Sequence, residues 1–515
     1  MLTQIERLKN YREAIYSLFH KRKDAIMNLL DAISSFGHRS RSVVELSEAA
    51  CFERQYSSIT DAIADGLPHA DWEAIESKQF QILFDQQAGS APCFLVDCTP
   101  NPRPFSKKLA DRTITHAPNP APGNKPICVG HQYSCVAMLP DNESASSRKW
   151  IAPISMQRVS SHQKGNECGM QQLTRHIKQF GLEDKWVVSV ADSLYSSEAC
   201  RKEAAKNPRL LHIFRVNSKR NVYQLPDDNS SGRGRKKVYG EKVSLSDEAT
   251  LPMPDRQSET GRLSRSGKIY QIKIESWDDI LIRGSKHYNA RQHPITLLRI
   301  RMFDDQGNAT FKRPLWLAGQ GQARKSISLT SVYNYYAKRY DIEHFFRFGK
   351  NNLLLDEFQT CHVEHEENWW SLCMLAYNQL YLAKSLVPLQ TKPWERHLKQ
   401  NPNNPHREIA ITTPSQTQRG FAKLLSEVGT PAANCVPRGR LSGRKKGEKG
   451  PVLSDQPIIF KAAKLIKKVN IAGSENIPDN SNPLKIQALL QSVQEKLRAL
   501  NLSPRQFTQM LCDTG

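Results

Sequence analysis

The chain has 515 residues, 39% hydrophobic and 24% charged, a length that excludes a small stapled scaffold and suits about three folding units. Lys and Arg total 73 against 51 Asp and Glu, a net charge of +22 with a pI near 9.5, and a surplus of that size points to a polyanionic partner such as nucleic acid. Charges interrupt the amino-terminal stretch MLTQIERLKNYREAIYSLFH, no apolar run reaches the roughly 18 residues that span a bilayer, and 11 cysteines without a CxxC pair fit reduced thiols. A cytoplasmic protein with no membrane segment is expected.

Residues 1–90 read as amphipathic helical stretches with short polar breaks. Within them SVVELSEAACFERQYSSITDAIAD, 42–65, offers two apolar-periodic segments that suit either a helix-turn-helix or a plain helical hairpin. A strand is expected at APCFLVDCT, delivering Asp97 to its carboxyl edge, followed by strands at 126–139 and 150–159. MQQLTRHIKQFGL then has helical spacing, with Gly181 as its stop. KWVVSVADSLYSS is another apolar strand ending in an acid, Asp192, whereas Asp184 precedes that strand. A charged helix, SEACRKEAAKN, and a strand, LLHIFRV, complete an α/β layer over 91–217. Residues 218–325 form a β-rich insertion with strand candidates GKIYQIKIESW, PITLLRIRMF and RPLWLAG. Helical spacing resumes over 326–388, where ENWWSLCMLAYNQLYLAKSLV is apolar enough to be buried. Residues 389–515 contain a basic linker, RGRLSGRKKGEKG, and a last helix at LKIQALLQSVQEKLRAL. Cys361, His362 and His365 resemble metal ligands only faintly, since no second ligand pair accompanies them.

The stretch YYAKRYDIEHFFRFGK carries the chemistry. On one continuous helix Tyr336, Arg339, Glu343 and Lys350 share an arc of about 60°, with Ile342, Phe345 and Phe346 on an adjoining face suited to packing on a sheet. An exposed helix with ordinary i, i+4 Arg–Glu pairing has the same spacing. Two strand-end acids give the pattern its weight. Asp97, Asp192 and Glu343 converging in a fold interior would repel unless divalent cations neutralised them, and hard oxygen ligands select Mg²⁺ or Mn²⁺. Two such ions about 4 Å apart serve in-line phosphoryl transfer.

Tyr336, Arg339, Glu343 and Lys350 reproduce the Tyr-x2-Arg-x3-Glu-x6-Lys signature, so the chain resembles the DDE transposases of bacterial insertion sequences over roughly 90–385. The resemblance implies a ribonuclease H-like core interrupted by a β-rich insertion, with a helical DNA-binding N-terminal region and a basic, partly helical C-terminal region. It makes Asp97, Asp192 and Glu343 the metal-binding triad for two Mg²⁺ or Mn²⁺ ions, and Tyr336, Arg339 and Lys350 contacts to double-stranded transposon-end DNA. Asp341 lacks the signature spacing. Trp277 and Trp316 are candidates either for stacking on a flipped base or for the core. The implied activity is cleavage at element ends and strand transfer into target DNA by a homodimer or larger synaptic assembly. The alternatives are an inactive DNA-binding regulator and a nuclease without strand transfer.

Overall fold

The computed structural model describes residues 3–84, 91–116, 126–139, 150–226, 237–263, 268–286, 288–388, 412–436, 447 and 452–460. The basic segment at 438–450, apart from Gly447, and the helix expected at 484–500 lie outside them. The chain divides into two compact units, one of residues 1–99, 133–159 and 163–451, the other of residues 100–132, 160–162 and 452–515.

The first unit begins with helices α1 (Gln4–Ser17), α2 (Lys23–Phe36), α3 (Ser57–Asp61) and α4 (Trp72–Leu83). Thr3 opens α1 with a capping box, its side chain accepting from Glu6 N while Glu6 accepts from Thr3 N. No helix-turn-helix forms at 42–65, because Val44–Glu48 is a 3₁₀ turn and α3 has 5 residues that run into a π turn at Ala62–Gly66.

Strands β1 (Cys93–Pro102), β2 (Thr113–His116), β3 (Ile127–Leu139) and β4 (Ala152–Arg158) follow. Then come α5 (Gly165–Gln179), β5 (Val187–Ala191), α6 (Glu198–Ala205) and β6 (Leu210–Arg215). The expected sequence of strands and helices is present, with β2 added, and Gly181 stops α5 with φ 61°. All five β5 residues are buried, as in a strand covered on both faces, and β5 lies parallel to β1 on one side and β6 on the other.

The β-rich segment supplies a short pair, β7 (Asn221–Tyr223) and β8 (Lys242–Ser244), and four longer strands. These are β9 (Arg256–Leu263), β10 (Ile269–Ile280), β11 (Ile295–Phe303) and β12 (Leu315–Gln320). They continue the main sheet: β12 lies antiparallel on β6, giving the order β3-β1-β5-β6-β12-β11-β10-β9 with β4 paired to β3. The result is a large mixed sheet in an α/β fold. Trp277 and Trp316 sit in the core between these strands, 2% and 1% exposed with ring centroids 5.9 Å apart, which settles them as packing residues.

Four helices close this unit: α7 (Leu329–Lys338), α8 (Asp341–Asn352), α9 (Val363–Ala383) and α10 (Pro414–Val428). Helix α9 is buried nearly all round, packing on β4 and against α1, α2 and α10. Several of its polar side chains bond within the core, Asn378 donating to the Pro153 carbonyl at 2.7 Å and Gln379 to Ser34 Oγ at 3.0 Å. Among the described residues no helix is long and apolar enough to cross a membrane. In the second unit, β2 pairs with the first residues of β3, and the Arg112 guanidinium donates to the Leu109, Arg103, Lys107 and Gln456 carbonyls.

Helix α4 meets α5 through Glu76, which lies 3.4 Å from Arg175 and 3.8 Å from His176 Nδ1. Burial raises the Glu76 pKa to about 7, against the pull of Arg175 and a hydrogen bond from Gln179, with Glu73 adding repulsion. His176 is kept neutral, its pKa lowered to about 3 by burial. A carboxyl that binds its proton more tightly when folded stabilises the fold below its ordinary pKa, and that contribution disappears as pH rises to about 7. Glu76 alone therefore contributes a decline of up to about 3 kcal/mol between pH ~4.5 and ~7, opposed by the gain that neutral His176 gives as pH rises toward 6.5, and the pH curves of the unmodified protein and Glu76→Gln should diverge by that decline. Denaturant midpoints of both proteins across that range measure the effect, and parallel pH curves would refute it.

Candidate active site

Two parallel strands deliver two acids to one edge of the sheet. Cys93–Val96 of β1 are buried and apolar, and Asp97 follows with a side chain 17% exposed, accepting from Cys98 N at 2.8 Å. The register pairs Val96 with Ala191, so Asp97 and Asp192 are the next positions along β1 and β5. Asp192 caps the turn Ser193–Ser196, accepting from Leu194 N at 2.8 Å. Asp192 follows the last residue of β5, whereas β1 runs on to Pro102, so Asp97 lies within its strand, just past the stretch paired with β5, and not at its end as expected.

Glycine brings the supporting layer close. A Cβ on Gly169 of α5 would stand 2.7 Å from the Tyr195 hydroxyl, 2.8 Å from Val96 Cγ1 and 3.0 Å from Ser134 Oγ. Only a hydrogen there lets α5 seat against β1 directly beneath Asp97.

The third acid comes from a junction and not from a continuous helix. Helix α7 ends at Lys338 and α8 begins at Asp341, which corrects the expectation of one helix through Tyr336, Arg339, Glu343 and Lys350. Tyr336 lies in the last turn of α7, Arg339 at the break, and Glu343 in the first turn of α8. The apolar face expected of this segment is present: Ile342, Phe345 and Phe346 are buried, with Phe345 edge-on to Tyr377 at 4.8 Å. Packing on α9 thus holds α8 with its first turn toward the strand edge.

At that edge one guanidinium joins two acids. Arg339 Nη1 donates to Asp97 Oδ2 at 3.2 Å and Nη2 to Glu343 Oε1 at 2.6 Å, with Arg339 itself 16% exposed. Glu343, not Asp341, is the acid on this bridge. Burial raises the Asp97 pKa to about 7; Arg339 opposes this, while Asp192 and then Glu343 add to it. Asp192 and Glu343 therefore both act on Asp97. Burial pulls the Arg339 pKa down, yet Asp97, Tyr336 and Glu343 carry it above its ordinary value. Burial likewise raises the Tyr336 hydroxyl, opposed by Arg339 and Arg215 and reinforced by Asp192.

Lys350, in the last turn of α8, stands 3.8 Å from Asp356. Arg215, at the exposed end of β6, was not singled out from the sequence although it ends the strand LLHIFR beside β5; a cation closing a strand next to an acid-tipped one is the signal that marks it. The donors suit a hard divalent cation, since carboxylate oxygens are its usual ligands and Asp97 feels the repulsion of both Asp192 and Glu343. Among the described residues, however, no group of three or more His, Cys, Asp or Glu is already gathered around an ion position. His362 and His365 have ring centroids 4.7 Å apart and belong to no such group.

A family model described as "DDE superfamily endonuclease" matches residues 14–275, just over half of the 515-residue chain. That match includes Asp97 and Asp192 and stops before Glu343. No curated protein matches the chain.

Proposed function

The chain belongs to the DDE superfamily endonucleases, and from that premise we propose that it is a DNA transposase that cleaves element ends and joins them to target DNA. Membership carries a DNA substrate and a nuclease or transposase activity. The strand order, with β1, β5 and β6 parallel and β3 and β4 beyond β1, supports a ribonuclease H-like core. The observation that carries the reading is the Arg339 bridge, which brings together an acid from β1 and one from α8 although 242 residues separate Arg339 from Asp97.

In this reading Asp97, Asp192 and Glu343 hold two divalent cations, Mg²⁺ or Mn²⁺, which when bound activate a water or a 3′ hydroxyl and neutralise the leaving oxygen. Asp97 and Asp192 both follow directly on the paired stretch of β1 and β5, so their spacing follows the sheet. Glu343 is set by the apolar seat of α8 on α9. Arg339 offers the planar fork that grips a phosphate in bidentate fashion, and Tyr336 and Lys350 steady the same backbone. The net charge of +22 favours long contact with duplex DNA, and paired ends call for at least two copies of the chain.

The test is incubation with Mg²⁺, a target plasmid and labelled duplex carrying the sequences that flank the gene. Nicked ends and label joined to the plasmid are expected. Cleavage without joined product would leave a nuclease, and binding with neither would leave a DNA-binding relative without chemistry.

A further inference from the structure

We propose that Arg339 competes with the divalent cations for Asp97 and Glu343, so that the guanidinium must leave these acids before an ion can bind both; this rests on the function proposed above. Arg339 spans the two carboxylates with separate nitrogens, at 3.2 and 2.6 Å. An ion taking Asp97 Oδ2 and Glu343 Oε1 as ligands would need the oxygens that now accept from the guanidinium, and two cations would not share them, so ion and guanidinium would compete for this pair.

The position of Arg339 lets it leave. It caps α7 at the α7–α8 break, its backbone held by the Tyr336 carbonyl and by Ile342 N, so that only its long side chain has to move, whereas Glu343 is carried on α8, whose apolar face is buried. Among the described residues the guanidinium is the one positive group hydrogen-bonded to both acids, and it has the geometry to clamp a backbone phosphate. A phosphate that takes Arg339 from the acids therefore opens the ion position. Binding of DNA and of metal then favour each other reciprocally, which restrains ion loading until a strand is in place.

Mn²⁺ titration of the intact chain without DNA, followed by the electron paramagnetic resonance of free Mn²⁺, tests this. Arg339→Ala should tighten Mn²⁺ binding about tenfold, within the usual range of coupling between two ligands. Arg339→Lys keeps the positive charge but lacks the two-nitrogen fork, and should tighten binding several-fold, about half the effect on a logarithmic scale. Tightening in Arg339→Ala alone would assign the effect to bulk charge and overturn the competition, as would unchanged or weaker binding in both variants. Glu343→Gln separates the two ideas. If it binds Mn²⁺ as the unmodified protein does, the metal-site reading fails. If it weakens binding while the Arg339 variants leave it unchanged, that reading stands and the competition falls.

Discussion

Glu343→Gln is expected to lower DNA strand cleavage on the order of 10³-fold, the scale on which loss of a group that offsets developing charge is felt, while duplex binding should stay close to that of the unmodified chain. Gln has the shape of Glu and keeps an oxygen that can accept from Arg339 Nη2, so the α7–α8 junction retains its geometry. The negative charge is lost, and with it one of three anionic donors. Binding is spread over many cations of a chain with net charge +22, so one neutralised acid changes it little. Gel analysis of labelled ends alongside fluorescence anisotropy on the same duplex separates the two effects. Cleavage by Glu343→Gln at the unmodified rate would remove Glu343 from the catalytic site.

Arg12→Ala has the largest expected effect on stability, a loss of about 3–5 kcal/mol. Arg12 on α1 and Asp31 on α2 are each 1% exposed and joined by two hydrogen bonds, at 2.5 and 2.9 Å. The same guanidinium donates to Gln379 Oε1 of α9 at 2.6 Å and to the Gly429 carbonyl beyond α10 at 3.0 Å. One side chain therefore ties four helices together, and its removal leaves a buried carboxylate without a compensating charge. Replacing Arg12 and Asp31 together by apolar residues of similar volume should recover most of the loss, because the desolvation cost of both charges disappears. Denaturant midpoints of the single and double variants measure this, and a mild single variant would show that water reaches Asp31. Since α9 also packs on β4, loosening this junction should be felt at the sheet that carries Asp97.

How much of this was legible follows the range of the interactions. The apolar runs before Asp97 and Asp192 are visible because a buried parallel strand needs a continuous apolar stretch; that β1 runs on through Asp97 to Pro102 is not, because the residues beyond it are polar or proline. Strand β9 was not visible: RQSETGRL has no apolar alternation, and its hydrogen bonds are supplied by β10. Helix α10 was also missed in a Pro- and Asn-rich region, although its signal was local. Thr413 and Gln416 form a capping box around Pro414, and Phe421, Leu424 and Leu425 follow at helical spacing.

The sequence by itself determined the α/β alternation, the two acids that follow apolar runs, the Tyr-Arg-Glu-Lys spacing and the basic surplus, since each is written in neighbouring residues or in composition. Only the tertiary structure decided that the segment from Tyr336 to Lys350 breaks at Arg339, that β9 to β12 extend the main sheet through β6, and that one guanidinium spans Asp97 and Glu343. The reason is physical. A period or a strand end costs or gains free energy within a few residues, whereas the meeting of Arg339 with Asp97 depends on the sheet order and on the packing of α8 against α9, which no local pattern contains.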